Sequence, residues 1–419
     1  MRHLLLLVLA GCGQCKRADP PVDAAPALVV VSSARDARVS VTPAPSCTPI
    51  DRVTLDDAAI GFRVTDLVDV AVAAANDEAV ITFAVDGNHG CDHDGCFEQH
   101  RAFAIDVDHS KTGRPYHLTT SAAGISPSEF AAPGALGSDL FVFTKGFRGA
   151  AGIPEPGHDA PGTEYQLQRN KIAHKWPDSG ANMRVTASAG AGAWGVGLGE
   201  TEAFGPYFVR AFHFESGART MEQFPATGSL VDAPGVAASP DHVVVVFRGK
   251  ANGRFGGTWL YAVWLDPATA KPIGTPEALA TGDVGAPTVT LGADTADFVW
   301  AQKTGAAYVL MRASWAWGDP KPSAGVKLAA PASGLAPALA RAGNGFALAW
   351  TEGDEKGTTG KIYAGFGDTI DAAAASAILR SSSDVKNARD PEWASSGTST
   401  LLVWSEHDGP RRIAGAWCR

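Results

Sequence analysis

Residues able to hold a metal ion or move a proton are concentrated in one short stretch, His89-Gly90-Cys91-Asp92-His93-Asp94-Gly95-Cys96-Phe97-Glu98-Gln99-His100. Imidazole, thiolate and carboxylate are the donor types that bind Zn²⁺ or a related ion, which makes His89, His93, Asp94 and His100 candidate ligands. The spacing is not that of a zinc finger. In an oxidising compartment Cys91 and Cys96 pair with each other instead. Asp92 and Asp94 begin an Asp-x-Asp pattern, but the remaining positions of a calcium loop are missing. The preferred reading is a disulfide-pinned, solvated loop, and no cofactor is expected.

The elements that must carry this loop come from an internal repeat. A strand-like run of apolar residues closing on a large side chain recurs along the chain as Val80–Phe83, Leu140–Phe143, Trp194–Leu198, Val244–Phe247, Asp297–Trp300, Ala347–Trp350 and Leu401–Trp404, at intervals of 49 to 60 residues. A run of small residues ending in a Gly- or Asp-containing turn precedes these anchors, as in Ala336–Ala342 before Gly343-Asn344-Gly345. Such turns make hairpins. A second alternating strand follows each anchor, and a weaker fourth follows most.

Four strands per unit with compact residues innermost suit a tapering ring. The sequence therefore predicts an all-β fold, a β-propeller of seven four-stranded blades. The last unit stops at Arg419 after its third strand, and Arg52–Leu55 can supply the missing one, so that the N-terminal strand completes the last blade. Two stacked β-sandwiches, or a count of six or eight blades, are the alternatives. Cys47 and Cys418 then fall beside one another and are expected to form a disulfide.

In this topology the loops between second and third strands share one face, the expected ligand face. It carries Arg148, His158 and Asp159 in a long insertion, then Arg248, Arg254, Glu352, Glu406 and His407. Glu200, Glu352 and Glu406 each stand two residues after an anchor. Paired acids of that kind serve glycosidases, although repetition alone also explains them. No G-x-S-x-G elbow, HExxH pair or phosphate-cradling loop is present, and no residue is assigned as catalytic. The segment Asn252–Trp259 resembles the Asp-box turn of sialidase-like propellers, but Arg254 stands where the acid belongs and the segment occurs once, so it is read as coincidence.

Near the N-terminus, Arg2 and His3 precede the apolar run 4–10, and Leu9-Ala10-Gly11-Cys12 follows. This resembles the lipobox of bacterial lipoproteins. The resemblance implies removal of residues 1–11, lipidation of Cys12 with acyl chains such as palmitate, and a cell-envelope location at the outer membrane where the host has one. Residues 12–49, rich in Ala, Pro, Val and Asp, read as a flexible tether, and 50–419 as the propeller. Thirty-five basic against 44 acidic residues give a net charge of −9, which disfavours a nucleic-acid partner. The expected function is a lipid-anchored binding or scaffold protein that engages a protein, peptide or glycan. The alternatives are an envelope glycan hydrolase or lyase on the same frame, and a metal-dependent sensor built on residues 89–100.

Overall fold

The computed structural model describes residues 45–61, 63–88, 98–117, 130–136, 139–145, 163–167, 175–176, 181–186, 194–200, 207–213, 230–250, 258–329, 334–354, 357–396 and 399–419. Seven antiparallel sheets form among them, six from strands consecutive in the chain and the last from the chain's final three strands together with its first two. The first sheet contains Arg63–Ala75, Glu78–Asn88 and Glu98–Asp108, and the last contains Ala388–Ser396, Ser399–Glu406 and Arg411–Cys418. The first strand of each sheet packs against the first strand of the next, and that of the last sheet packs against Arg63–Ala75, so the circuit closes. The fold is a β-propeller.

All of the predicted anchor runs lie in the second strands of their sheets. These strands are covered on both sides, which explains their continuous apolar character. In Val243–Lys250, Val243, Val245 and Phe247 pack toward the preceding sheet, while Val244 and Val246 pack toward the following one. The core is thus distributed between neighbouring sheets, and every such contact depends on the sheets keeping their order around the ring.

In three of the inner strands a proline coincides with a bulge. The register shifts between Asp232 and Gly235, between Leu335 and Ala338, and between Arg389 and Glu392, straddling Pro234, Pro337 and Pro391. Proline has no N–H to give the ladder and is confined to edges and bulges, so the bulge is the local solution. Two of the residues preceding these prolines, Ala336 (φ 44°) and Asp390 (φ 55°), take left-handed backbone.

The ring is closed by two short strands, Cys47–Pro49 and Val53–Leu55, both antiparallel to Arg411–Cys418. Val53 and Leu55 point into the core shared by the last and first sheets. Cys47 and Cys418 face each other in register and are joined by a disulfide that spans 371 residues of sequence. The expected closure by the segment Arg52–Leu55 is therefore present, with pairing that begins as early as Cys47.

A six-residue helix, Ile370–Ala375, was not expected. It precedes the two-residue outer strand Ile378–Leu379 of the sixth sheet, its Thr369 N-cap oxygen accepts from the Ala372 N–H, and Ile370, Ala373 and Ala374 are buried against the fifth and sixth sheets. Among the described residues no helix is long and apolar enough to cross a membrane.

Candidate functional site

Inner strands begin, and second strands end, on the face that carries the loops between second and third strands. Where the last sheet meets the first, this geometry brings five polar residues together. Asp66 lies near the start of Arg63–Ala75, Arg389 and Asp390 near the start of Ala388–Ser396, His407 directly after Ser399–Glu406, and Arg411 at the head of Arg411–Cys418.

Arg389 is the hub. Its Nη2 donates to Asp66 Oδ1 at 3.2 Å and to His407 Nδ1 at 2.8 Å, and its Nε stands 3.9 Å from Asp390 Oδ2. Arg411 Nε approaches the same Asp66 oxygen at 3.7 Å, while its Nη2 donates to the Thr65 carbonyl at 2.9 Å and its Nη1 to the His407 carbonyl at 2.8 Å. His407 Nδ1 also stands 3.2 Å from Asp66 Oδ1, so arginine and carboxylate meet at one ring nitrogen, while its Nε2 lies 2.9 Å from Ser405 Oγ. Ser405 Oγ in turn donates to the Arg389 carbonyl at 3.0 Å. Burial first, and the Arg389 guanidinium next, push His407 down to about 4, and the ring is neutral at neutral pH.

Asp66 and Asp390 remain open to solvent, with side chains 40% and 51% exposed. Both carboxylates lie along the Nε–Nη2 edge of the one Arg389 guanidinium, and a pair of acids is the equipment that glycosidases use. The left-handed backbone at Asp390 belongs to the repeat, since Ala336 shares it without any chemistry. What this copy adds is the carboxylate.

The other residues singled out in the sequence have varied positions. Glu406 is fully buried, with Oε1 accepting from Trp404 Nε1 at 3.3 Å and lying 3.4 Å from Arg52 Nη2. Gln302 plays the equivalent part for Trp300 at 3.3 Å, so at these two anchors the residue two further on satisfies the indole N–H. Glu352, half-buried, pairs across the ladder with Lys361. Arg248 Nη1 donates to the Val284 carbonyl at 3.1 Å, away from the Asp66–Asp390 pair. Cys12, His89, Cys91, His93, Asp94, Cys96, Arg148, His158, Asp159 and Arg254 lie outside the described residues, and His100 is placed only as a strand residue opposite Asp86. Among the described residues, no group of three or more His, Cys, Asp or Glu side chains is placed to hold a metal ion. Sequence reasoning missed Asp66, Arg389, Asp390 and Arg411; the Asp390-Pro391 step, an acid in the repeated pre-proline position, was the available signal.

No protein-family model and no curated relative matches the chain. Among solved structures, the chain is similar to the phage phi92 endosialidase (8% identity, TM-score 0.48, 88% of this chain and 69% of that one). It is similar to a Trypanosoma rangeli sialidase in complex with the inhibitor DANA (9% identity, TM-score 0.47, 90% of this chain and 60% of that one). It is also similar to an ulvan lyase of a polysaccharide lyase family (9% identity, TM-score 0.49, 84% of this chain and 93% of that one). The chain thus spans about three fifths of the length of the trypanosomal sialidase. The expectation of a non-enzymatic binding or scaffold protein is corrected here: the solved structures it is similar to are named as sialidases, an endosialidase and a polysaccharide lyase, which fits the hydrolase or lyase alternative better.

Proposed function

We propose that this protein is a glycan-cleaving hydrolase on a propeller whose seven sheets are seven blades, each four-stranded in the complete ring. The observation that carries the reading is the pair of solvent-open carboxylates, Asp66 and Asp390, sharing one edge of the Arg389 guanidinium near the starts of the innermost strands. Hydrolysis of a glycosidic bond needs one carboxyl group to protonate the leaving oxygen and a second to stabilise or attack the anomeric centre. Asp66, pinned by Arg389 and approached by Arg411, suits the stabilising role, and Asp390, 3.9 Å from Arg389 Nε and half exposed, suits the proton donor. Neutral His407 sets the position of Arg389 from beneath.

The lipobox at Leu9–Cys12 supports delivery to the cell envelope, with residues 1–11 removed and acyl chains on Cys12 as the membrane partner. The negative net charge supports a carbohydrate rather than a nucleic-acid substrate. The test is release of new reducing ends from a panel of neutral and acidic polysaccharides. Asp66→Asn and Asp390→Asn should each lower kcat at least ~100-fold, with a native circular dichroism spectrum at the assay temperature. Full activity in either variant would remove the assignment. Products with an unsaturated uronic end in place of simple hydrolysis products would assign the cluster to a lyase.

A further inference from the structure

The opposite face of the ring carries an aromatic cluster that the cleavage site does not use. Among the described residues the exposed large apolar side chains are Ile273, Trp317, Val326, Ile378 and Leu379, and Trp317, 38% exposed, is the one aromatic. The other four sit on outer strands. Trp317 follows the end of Ala307–Ala316, away from the loops between second and third strands.

Its ring is held from two directions. The His242 imidazole stacks on it at 4.3 Å between centroids and 11° between planes, and Trp264, 4% exposed, meets it edge-on at 5.1 Å and 86°. His242 is itself fixed, with Nδ1 2.6 Å from the Asp241 carbonyl, Nε2 3.1 Å from Asp294 Oδ1, and its backbone N–H donating to Ser239 Oγ at 3.1 Å. The Trp317 N–H donates to the Asp294 carbonyl at 2.7 Å, and the turn beyond it is tied by Trp315 Nε1 donating to the Asp319 carbonyl at 3.0 Å. A tryptophan left partly in water forgoes apolar burial, yet this one is fixed by its backbone, its neighbours and a tight turn at Gly318 (φ 87°).

We propose that Trp317 is a stacking platform for a pyranose ring, an accessory sugar-binding subsite remote from the Asp66–Asp390 pair. A pyranose is amphipathic: its C–H face covers an indole as another apolar group would, and its hydroxyl edge needs acceptors beside the platform. Asp294, with its side chain 78% exposed, stands next to the stacked pair and supplies them. Pre-orientation by His242 and Trp264 lowers the ordering cost of binding. The inference rests on the glycan reading for its biological sense, but its test is independent of cleavage.

The experiment is affinity electrophoresis of the protein in gels containing soluble β-glucan, mannan or glycol chitin. At least one of these should retard the wild type. Trp317→Ala should weaken that retardation roughly ten-fold or more, Trp317→Phe should restore most of it, and Asp390→Asn should leave it unchanged. Unchanged retardation in Trp317→Ala, or no retardation of the wild type in any gel, overturns the platform. Loss of cleavage in Asp390→Asn with retardation intact separates this claim from that of the cleavage site. Circular dichroism of Trp317→Ala confirms that a loss does not reflect unfolding.

Discussion

At the scale of single residues, the cluster around Arg389 makes a pH prediction. His407 titrates near 6.5 in an unfolded chain and at about 4 in the fold. Between those values the unfolded chain binds a proton that the folded protein refuses, so stability is lost as pH falls through that window and levels off below it. The full effect is on the order of 3 kcal/mol. Urea unfolding at pH 4.5 and pH 7 should show the drop in the wild type and a much smaller one in His407→Gln. The sequence pointed to His407 and Glu406 because they open a loop of the expected ligand face after the last anchor, but it could not show that both side chains point inward. Burial depends on which neighbouring sheet a strand end faces, and for Asp66, Arg389 and Arg411 the meeting point joins residues more than 300 positions apart.

At the scale of elements, the second strands were legible because sheets buried on both sides leave unbroken apolar runs such as Val243–Phe247. The inner strands were harder to read, since small residues give little pattern; the proline bulges at Pro234, Pro337 and Pro391 are the clearer signature of these positions. The helix Ile370–Ala375 escaped because a four-alanine stretch carries no apolar period of its own, and its place is set by the glycines of the strand Gly360–Gly367. A Cβ at Gly365 would collide with the Ala373 carbonyl and the Ala377 backbone nitrogen. Gly365→Ala should therefore destabilise the protein by about 2–3 kcal/mol, read as a lower urea midpoint with an unchanged slope. Removing the indole partner is a milder change. Gln302→Leu leaves Trp300 Nε1 without its acceptor and should cost about 1–2 kcal/mol.

At the scale of the whole molecule, closure is the feature that holds the ring. Leading and trailing segments share one sheet, so the first and last sheets cannot part without breaking the pairing of Val53–Leu55 with Arg411–Cys418. The disulfide Cys47–Cys418 closes the largest loop the ring allows, and chain-entropy reasoning gives it up to ~5 kcal/mol. Reduction, or Cys418→Ser, should lower the unfolding free energy by roughly 2–5 kcal/mol without abolishing the fold, because the apolar contacts of Val53 and Leu55 remain. Cys12→Ser should move the full-length protein from the membrane fraction to the soluble fraction of expressing cells.

The central claim is that a glycan is cleaved between Asp66 and Asp390. A crystal structure of Asp390→Asn, soaked with an oligosaccharide from whichever polysaccharide the wild type degrades, tests it most directly. A sugar ring should lie over Arg389 with its glycosidic oxygen within hydrogen-bond reach of residue 390. A sugar bound elsewhere in the ring, with the Asp66–Arg389–Asp390 cluster untouched, would contradict it.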